Sequence, residues 1–324
     1  MQKTYTAQEI PDDALEEAML LRDGLGEAGH DASLVRWQGD DLAGMLSELE
    51  GLSTQMVFNA SSDREVSFLH AVGLPYCGSG PGLVSANKAT RKKILLHDGV
   101  PTAPFALVMP DGQARGRELS VSDIRRGWEP SAPMKYPLFV KPVEGRGSSG
   151  VSDDSIVDNR QALLRQVEMI VGRLGQGALV ENYIQGREVT VGIVGDPPIP
   201  LPPLEIEYNA AKTNSFEHKK DNEIMHCPAR LSESAMSRVR DVAMDVFQIL
   251  GARDFARVDT IVDSDGNPTV LELNTFAGLH ILSGSERYLH ASYVGAMAKA
   301  TGLSRAHLLG AIVDSARKRY GIWS

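Results

Sequence analysis

"FARVDTIVDSDGNPTVLELNTFAGLH", residues 255–280, is the stretch that decides the fold. Phe255 to Val262 alternates apolar and polar side chains, and so does Pro268 to Asn274, the period of two that a half-buried strand requires. "DSDGN" between them is a turn signal of the Asp-Gly kind, so the two runs make an antiparallel hairpin. Alternation then puts Arg257, Asp259, Glu272 and Asn274 on the same side of their strands. Asp259, Glu272 and Asn274 offer oxygen donors only. A small set of hard donors, with room left for water and phosphate, suits Mg²⁺ better than zinc or calcium. Arg257 is too close to be another ligand and suits charge on a transferring phosphoryl group or a tetrahedral intermediate. The plainer alternative is a salt-bridge network on an exposed sheet face, which is worth little.

Outward from the hairpin, the pattern alternates strands and helices. Asp12 to Ala28 has helical apolar spacing, "ASLVRW" (32–37) and "TQMVFNA" (54–60) read as short strands, and a helix from Asp41 to Leu49 lies between them. That βαβ pattern predicts a small parallel sheet. "GLPYCGSGPG" (73–82) reads as a loop, followed by a helix that ends at Gly99; residues 109–137 read as a variable connection. "YPLFVKPVEGRGSSGVSDD" (136–154) reads strand, glycine loop, strand, and a helix covers 158–174. "GALVENYIQGREVTVGIVGD" (177–196) gives two strands split by Gly186, a helix runs from Ser232 to Leu250, and helices at 286–301 and 304–319 close the chain.

"GRGSSG" matches GxGxxG at Gly145, Gly147 and Gly150, but no helix opens after it, and the absence of Gly-Lys-Ser/Thr excludes a Walker A loop. Two readings stay open. The loop either covers polyphosphate with its N–H groups, Lys141 beside the phosphates, or is a plain hairpin turn.

Composition narrows the class. The chain has 324 residues, 42% hydrophobic and 23% charged, with net charge -9, which argues against a global basic field for nucleic acid or anionic membrane. Its two cysteines, Cys77 and Cys227, fit no CxxC spacing and read as structural thiols of a reduced, cytoplasmic protein. Neither a signal peptide nor a membrane-length apolar run is expected. His218, His226 and Cys227 have no common zinc spacing, "RKK" (91–93) reads as a solvated helix face, and the methionines read as core filler.

The stretches "VFN", "GLPYCGS", "NK" (87–88), "FVKP", "GSSG", "VENYIQGREVTVGI", "CPARL" and "ARVDTIVDSDGNPTVLELNT" together resemble the ATP-grasp ligases, and among them the D-alanine–D-alanine ligases, in the family's order. The resemblance implies an α/β ATP-grasp fold of three domains: a small N-terminal parallel sheet (1–87), then two antiparallel-sheet domains (88–185 and 186–324) that sandwich ATP. It implies ATP and two Mg²⁺ ions (Mn²⁺ as a substitute), an acyl-phosphate intermediate, small amino-acid-like substrates and a homodimer. Position by position, Lys88 and Lys141 resemble the lysines that contact the ATP phosphates. Glu181, Asn182, Tyr183 and Ile184 resemble the adenine-binding connection, and Glu188 the acid on the ribose hydroxyls. Ser148 and Ser149 fall in the loop over the phosphates, Ser148 counting with Arg257 and the Gly278 N–H as catalytic. Asp259, Glu272 and Asn274 match the metal ligands, and Lys219 resembles the ATP-binding lysine of a mobile loop. Ser283 falls where the second substrate's carboxylate binds, with His280 nearby as either a substrate contact or a structural side chain.

The departures gather on the amino-acid side. "KTYTAQEIPDDALEEAM" lacks the family's glycine turn and the Glu that holds the first ammonium; "SDREVS" (62–67) reads instead as a helix start capped by Ser62. Lys220 stands where the family has Tyr, and "NTFAGLH" replaces "NTxPGM". The expected function is therefore an ATP- and Mg²⁺-dependent ligase making a C–N bond on a specialised amino-acid-like substrate. A true D-alanine–D-alanine ligase, an ATP-grasp kinase and an inactive nucleotide-binding protein are the alternatives.

Overall fold

The computed structural model describes residues 12–36, 41–59, 63–145, 150–208, 223–281 and 292–322. The first part contains α1 (Asp12–Glu27), α2 (Leu42–Gly51), β1 (Val57–Phe58), α3 (Asp63–Ala71), β2 (Tyr76–Cys77) and α4 (Pro81–Val84). β1 and β2 pair in parallel, Val57 opposite Tyr76. The small parallel sheet is as expected, but one of its two strands is not. Residues 31–36 have no regular structure and lie mostly exposed, whereas Tyr76 and Cys77, inside the stretch read as a loop, are each 1% exposed. Burial against the core, rather than local alternation, selects the strand. The strand read over 54–60 shrinks to two residues.

Next come α5 (Lys88–His97), β3 (Phe105–Met109), β4 (Leu119–Ser120), α6 (Val121–Arg125), β5 (Leu138–Pro142), β6 (Ile156–Val157), α7 (Arg160–Leu174) and β7 (Ala178–Asn182). They form a sheet in the order β4-β3-β7-β5-β6, antiparallel apart from the β3–β4 edge. Val108, Leu138, Val140 and Val180 face Leu163, Val167 and Ile170 of α7. The opposite face brings Phe105, Glu181 and Phe139 into one row and Leu107, Leu179 and Lys141 into the next. The connection at 109–137 is more ordered than expected, since Ser120 and Asp123 form a capping box that starts α6. The strand after the glycine loop begins only at Ile156.

The last part contains β8 (Arg187–Val194), β9 (Ile199–Pro200), β10 (Leu204–Tyr208), β11 (Glu223–His226), α8 (Glu233–Ile249), β12 (Phe255–Val262), β13 (Pro268–Asn274), α9 (Tyr293–Ala300) and α10 (Arg305–Tyr320). The hairpin β12–β13 has the bounds read from its alternation. Asp263 Oδ1 closes its turn by accepting from the Asp265 and Asn267 N–H groups (3.0 and 2.8 Å). The sheet order is β11-β10-β8-β12-β13, with β9 on β8. Val189, Val191, Val258 and Leu273 pack with Val239, Ala243 and Val246 of α8. On the other side, Met297 of α9 and Leu308 and Ile312 of α10 pack with Leu204, Ile206 and Phe255. That leaves the remainder of this face for polar groups. Among the described residues no helix is long and apolar enough to cross a membrane.

Candidate active site

Across the hairpin, Arg257 lies opposite Asn274 and Asp259 opposite Glu272. Asp259 is also opposite Thr190 of β8, and Ile261 is opposite Glu188. Directly opposed residues share a face, so Glu188 and Thr190 join the four hairpin residues there. The Asp259 carboxylate, 7% exposed, is the hub of this face. Its Oδ1 accepts from Arg257 Nε (2.8 Å) and Thr190 Oγ1 (2.6 Å), and its Oδ2 from Arg257 Nη2 (3.0 Å) and Asn274 Nδ2 (2.7 Å). Burial pulls the Arg257 charge down, but Asp259 more than offsets it and holds the guanidinium firmly protonated. The guanidinium also stacks over the Tyr293 ring at 4.8 Å.

A carboxylate has about four lone-pair sites, and here all four face donors. A cation could approach Asp259 only if one donor yields. The Asn274 amide is suited to this, because turning it over puts its oxygen where its nitrogen stands. Glu272 carries no hydrogen bond among the described residues and lies in the field of Lys88, Arg91, Lys92, Lys141 and Arg257. Two carboxylates and an amide oxygen fit a hard divalent cation. Among the described residues no group of three His, Cys, Asp or Glu side chains is placed to hold a metal; the third donor here is an amide.

The facing sheet holds a second cluster. Glu181 is 2% exposed; its Oε1 pairs with Lys141 Nζ at 2.6 Å and its Oε2 with Lys92 Nζ at 3.0 Å. Burial pulls the Lys141 ammonium down, but Glu181, then Glu272 and Asp259, raise it past its ordinary value. Burial would raise the Glu181 carboxyl, yet Lys141 and Lys92 hold it ionised below the usual range. Burial lowers Lys88, with Glu272 offsetting part of the effect, and Lys88 Nζ donates to the Gly145 carbonyl (2.7 Å). The carboxylates of Asp259 and Glu272 on one sheet thus lie close enough to act on the Lys141 charge of the other.

This corrects the reading of "RKK" as a solvated face. Lys92 is 2% exposed, and Arg91 donates to the carbonyls of Leu273 (2.8 Å) and Leu83 (2.8 Å). Only Lys93 of the three is solvated. Lys92 and Thr190 are thus the residues the sequence reading missed. Lys92 had a signal, since it falls between the buried Ala89 and Leu95 on the same stripe of α5.

The remaining candidates fall into three groups. Asn182 braces its connection, with Oδ1 accepting from Lys135 N–H (3.0 Å) and Nδ2 donating to the Pro133 carbonyl (3.1 Å), while Tyr183 N–H donates to Pro137 (3.1 Å). Ile184 follows on the same connection. Gly278 sits against Ser292, and a Cβ at Gly295 would run into the His280 carbonyl, so the 278–280 segment packs directly on the start of α9. His280 is 4% exposed; its Nδ1 lies 3.3 Å from Glu17 Oε1 on α1, and its buried Nε2 has no hydrogen-bond partner among the described residues. Ser148, Ser149, Lys219 and Ser283 lie outside the described residues. His226 pairs with Glu207 (3.0 Å), and both cysteines are free, burial pushing the Cys227 thiol up to about 11.

Comparison with known proteins follows the same lines. Residues 94–314 match the family model described as D-ala D-ala ligase C-terminus. The uncharacterized protein y4sG of Sinorhizobium fredii is 31% identical over 321 residues, covering 91% of this chain and 86% of its own length. A D-alanine–D-alanine ligase of Pelotomaculum thermopropionicum is 32% identical over 267 residues, 78% of this chain and 76% of the relative. The crystal structure of the D-alanine–D-alanine ligase from Bacillus anthracis complexed with ATP superposes with a TM-score of 0.71, covering 96% of each chain at 21% identity, a likeness of fold. The chain therefore belongs to the D-alanine–D-alanine ligase family and is an ATP-grasp ligase of that kind.

Proposed function

We propose that the protein joins a carboxylate to an amine on an amino-acid-like substrate other than, or in addition to, D-alanine, with the sheet faces around Asp259 and Glu181 as its ATP site. The observation that carries this reading is the in-register row Arg257/Asn274 and Asp259/Glu272 facing the Lys141–Glu181 pair. A substrate carboxylate oxygen attacks the γ-phosphorus and ADP leaves. The amine then attacks the acyl-phosphate carbon, phosphate leaves, and the amine loses a proton. Asp259, Glu272 and Asn274 would hold Mg²⁺, two ions by the family resemblance, which neutralises charge on the transferring phosphoryl group. Lys141 and Lys88 orient the phosphates, Glu188 the ribose, and the backbone of 182–184 the base. Arg257, fixed by Asp259 and Tyr293, presents charge to the developing oxyanion beside the Gly278 N–H. The units 1–87, 88–185 and 186–324 serve as amino-acid, nucleotide and catalytic parts.

The Glu17–His280 pair favours the specialised substrate. It offers a carboxylate from α1 where the family's N-terminal Glu motif is missing, beside a buried ring nitrogen that has no hydrogen bond among the described residues. The test is phosphate release from Mg·ATP by the purified protein, with D-alanine alone and then with a panel of D- and L-amino acids and amines, products read by mass. Release only with other substrates supports the specialised ligase. A D-alanine dipeptide as the preferred product would instead make it a true D-alanine–D-alanine ligase. A stable phosphate ester would make it a kinase.

A further inference from the structure

The buried lysine cluster supports a further step, which rests on the ATP reading above. Lys92, Lys141 and Glu181 place two ammonium groups on one carboxylate, their side chains 3%, 10% and 3% exposed. A buried ion pair is neutral; this triad sets two ammonium groups on one carboxylate, and the further anions that act on it, Glu272 and Asp259, belong to the facing sheet and hydrogen-bond neither lysine among the described residues. A charge so incompletely compensated in the interior favours the arrival of a counter-ion. Of the neighbouring cations, Arg91 is turned to the Leu273 and Leu83 carbonyls, whereas Lys88, donating to the Gly145 carbonyl, adds its own charge beside the phosphates and shares no carboxylate with Lys92.

Lys92 itself is 2% exposed, its ammonium turned to Glu181 and Thr102 rather than to solvent. It lies behind Glu181, held there by Thr102, whose Oγ1 accepts from Lys92 Nζ (2.5 Å) and donates to the Val270 carbonyl (2.9 Å). With its proton committed to Val270, the hydroxyl can only present a lone pair to Lys92. Val270 pairs with Thr260 on β12, two positions before Glu272, so the anchor is the strand that carries the candidate metal ligands. Lys141, by contrast, pairs among the described residues with Glu181 alone and keeps further N–H donors.

We propose that Lys92 is a positioning residue that sets the charge of the phosphate site: by claiming one oxygen of Glu181 it leaves Lys141 only half compensated, and so a receptor for the ATP phosphates. Without Lys92, Glu181 and Lys141 would close into a neutral pair with little attraction for an anion. The role is electrostatic and acts through Glu181, so it should depend on how many phosphates the ligand carries.

The experiment is calorimetric binding of Mg·ATP, Mg·ADP and adenosine to the full chain, with no amino acid present. In Lys92→Met, ATP and ADP affinity should fall roughly 10- to 100-fold, the loss expected when a buried ion-pair charge next to the phosphate site is removed, while adenosine affinity changes by less than about threefold. Glu181→Gln removes the shared anion and should widen the preference for ATP over adenosine, the opposite sign. Equal losses for ATP and adenosine in Lys92→Met would reduce Lys92 to a packing role and overturn the proposal, as would unchanged affinity for all three ligands. If Lys92→Met does not fold, Lys92→Gln, which keeps a hydrogen-bond donor for Thr102 without the charge, takes its place, and the same outcomes decide. Failure of the wild-type protein to bind ATP would overturn the ligase reading itself, an outcome distinct from a loss confined to the variants.

Discussion

Asp259 accepts four hydrogen bonds, and each can be tested for what it does. Asp259→Asn should abolish Mg²⁺-dependent ADP formation while the circular-dichroism spectrum is unchanged; full activity would remove the metal assignment. Thr190→Val deletes one orienting hydroxyl from a site already 0% exposed, and should weaken Mn²⁺ affinity roughly 10- to 100-fold, the usual effect of losing an outer hydrogen bond to a ligand. Arg257→Ala should raise the barrier by about 2 to 4 kcal/mol if it stabilises an oxyanion, read in kcat with ATP affinity unmoved. A loss seen only in ATP binding would make it a phosphate clamp. Arg257, Asp259, Glu272 and Asn274 were legible because all four lie on one side of a register shift between Asp259 and Thr260, where period two fixes faces; beyond it Val270 turns to the opposite face. Thr190 was not, because its role depends on β8 lying beside β12 at one register, a long-range pairing that local alternation cannot encode. Lys92 was misread because three adjacent basic residues suggest solvent, although its position between Ala89 and Leu95 pointed inward.

Among the elements, the strands with strong alternation and a turn signal, β12 and β13, were readable to the residue. In the short parallel pair, β1 fell within the run read at 54–60 but its partner β2 was missed, since two residues leave too little pattern and the choice between 32–37 and 76–77 is made by the core. Strand β10 supplies a prediction of its own. Its Glu205 side chain, 4% exposed, takes Arg187 (2.8 Å) and Arg230 (3.0 Å), which tie β8 and the approach to α8 to the same carboxylate. Burial would raise Glu205, but hydrogen bonds from Arg230 and Arg187 prevail and pull it from 4.5 down to about 2. A carboxyl whose folded pKa is depressed contributes stability above its unfolded value, and loses it as pH falls through the folded one. Wild-type stability should therefore decline as pH drops from 4.5 toward about 2, partly through this group. Glu205→Gln should be less stable at neutral pH and show a flatter acid limb when urea midpoints are compared. Parallel curves for the two proteins would mean that Glu205 contributes nothing to acid sensitivity.

At the scale of the molecule, a single carboxylate joins the parts. Asp254, 3% exposed and left-handed at φ 62, lies just before β12. Its Oδ2 accepts from the Gly78 N–H (2.7 Å), next to β2, and from Arg319 Nη2 (2.5 Å) on α10; its Oδ1 accepts from Ser315 Oγ (2.8 Å). Arg319 also donates to the Tyr76 carbonyl (2.9 Å) and lies 4.4 Å from the Tyr320 ring centroid. The N-terminal sheet, the C-terminal helix and the sheet bearing the candidate metal ligands thus meet at one ion pair, even though the N-terminal sequence departs most from the family. Asp254→Asn is the informative change. Asn tolerates the left-handed backbone and, with its oxygen turned to accept from the Gly78 N–H and Arg319 and its amide donating to Ser315 Oγ, keeps these hydrogen bonds, so the variant isolates the charge opposite Arg319. Removing one partner of a buried pair typically costs about 3 to 5 kcal/mol, because the other charge stays behind unpaired. Arg319→Met should remove both that charge and the Tyr76 contact, and the double variant should be less destabilised than the sum of the two, the signature of direct coupling. Additive losses in denaturant melts would show instead that apolar packing around Leu308 and Phe255 holds the parts together and that the pair only decorates the seam.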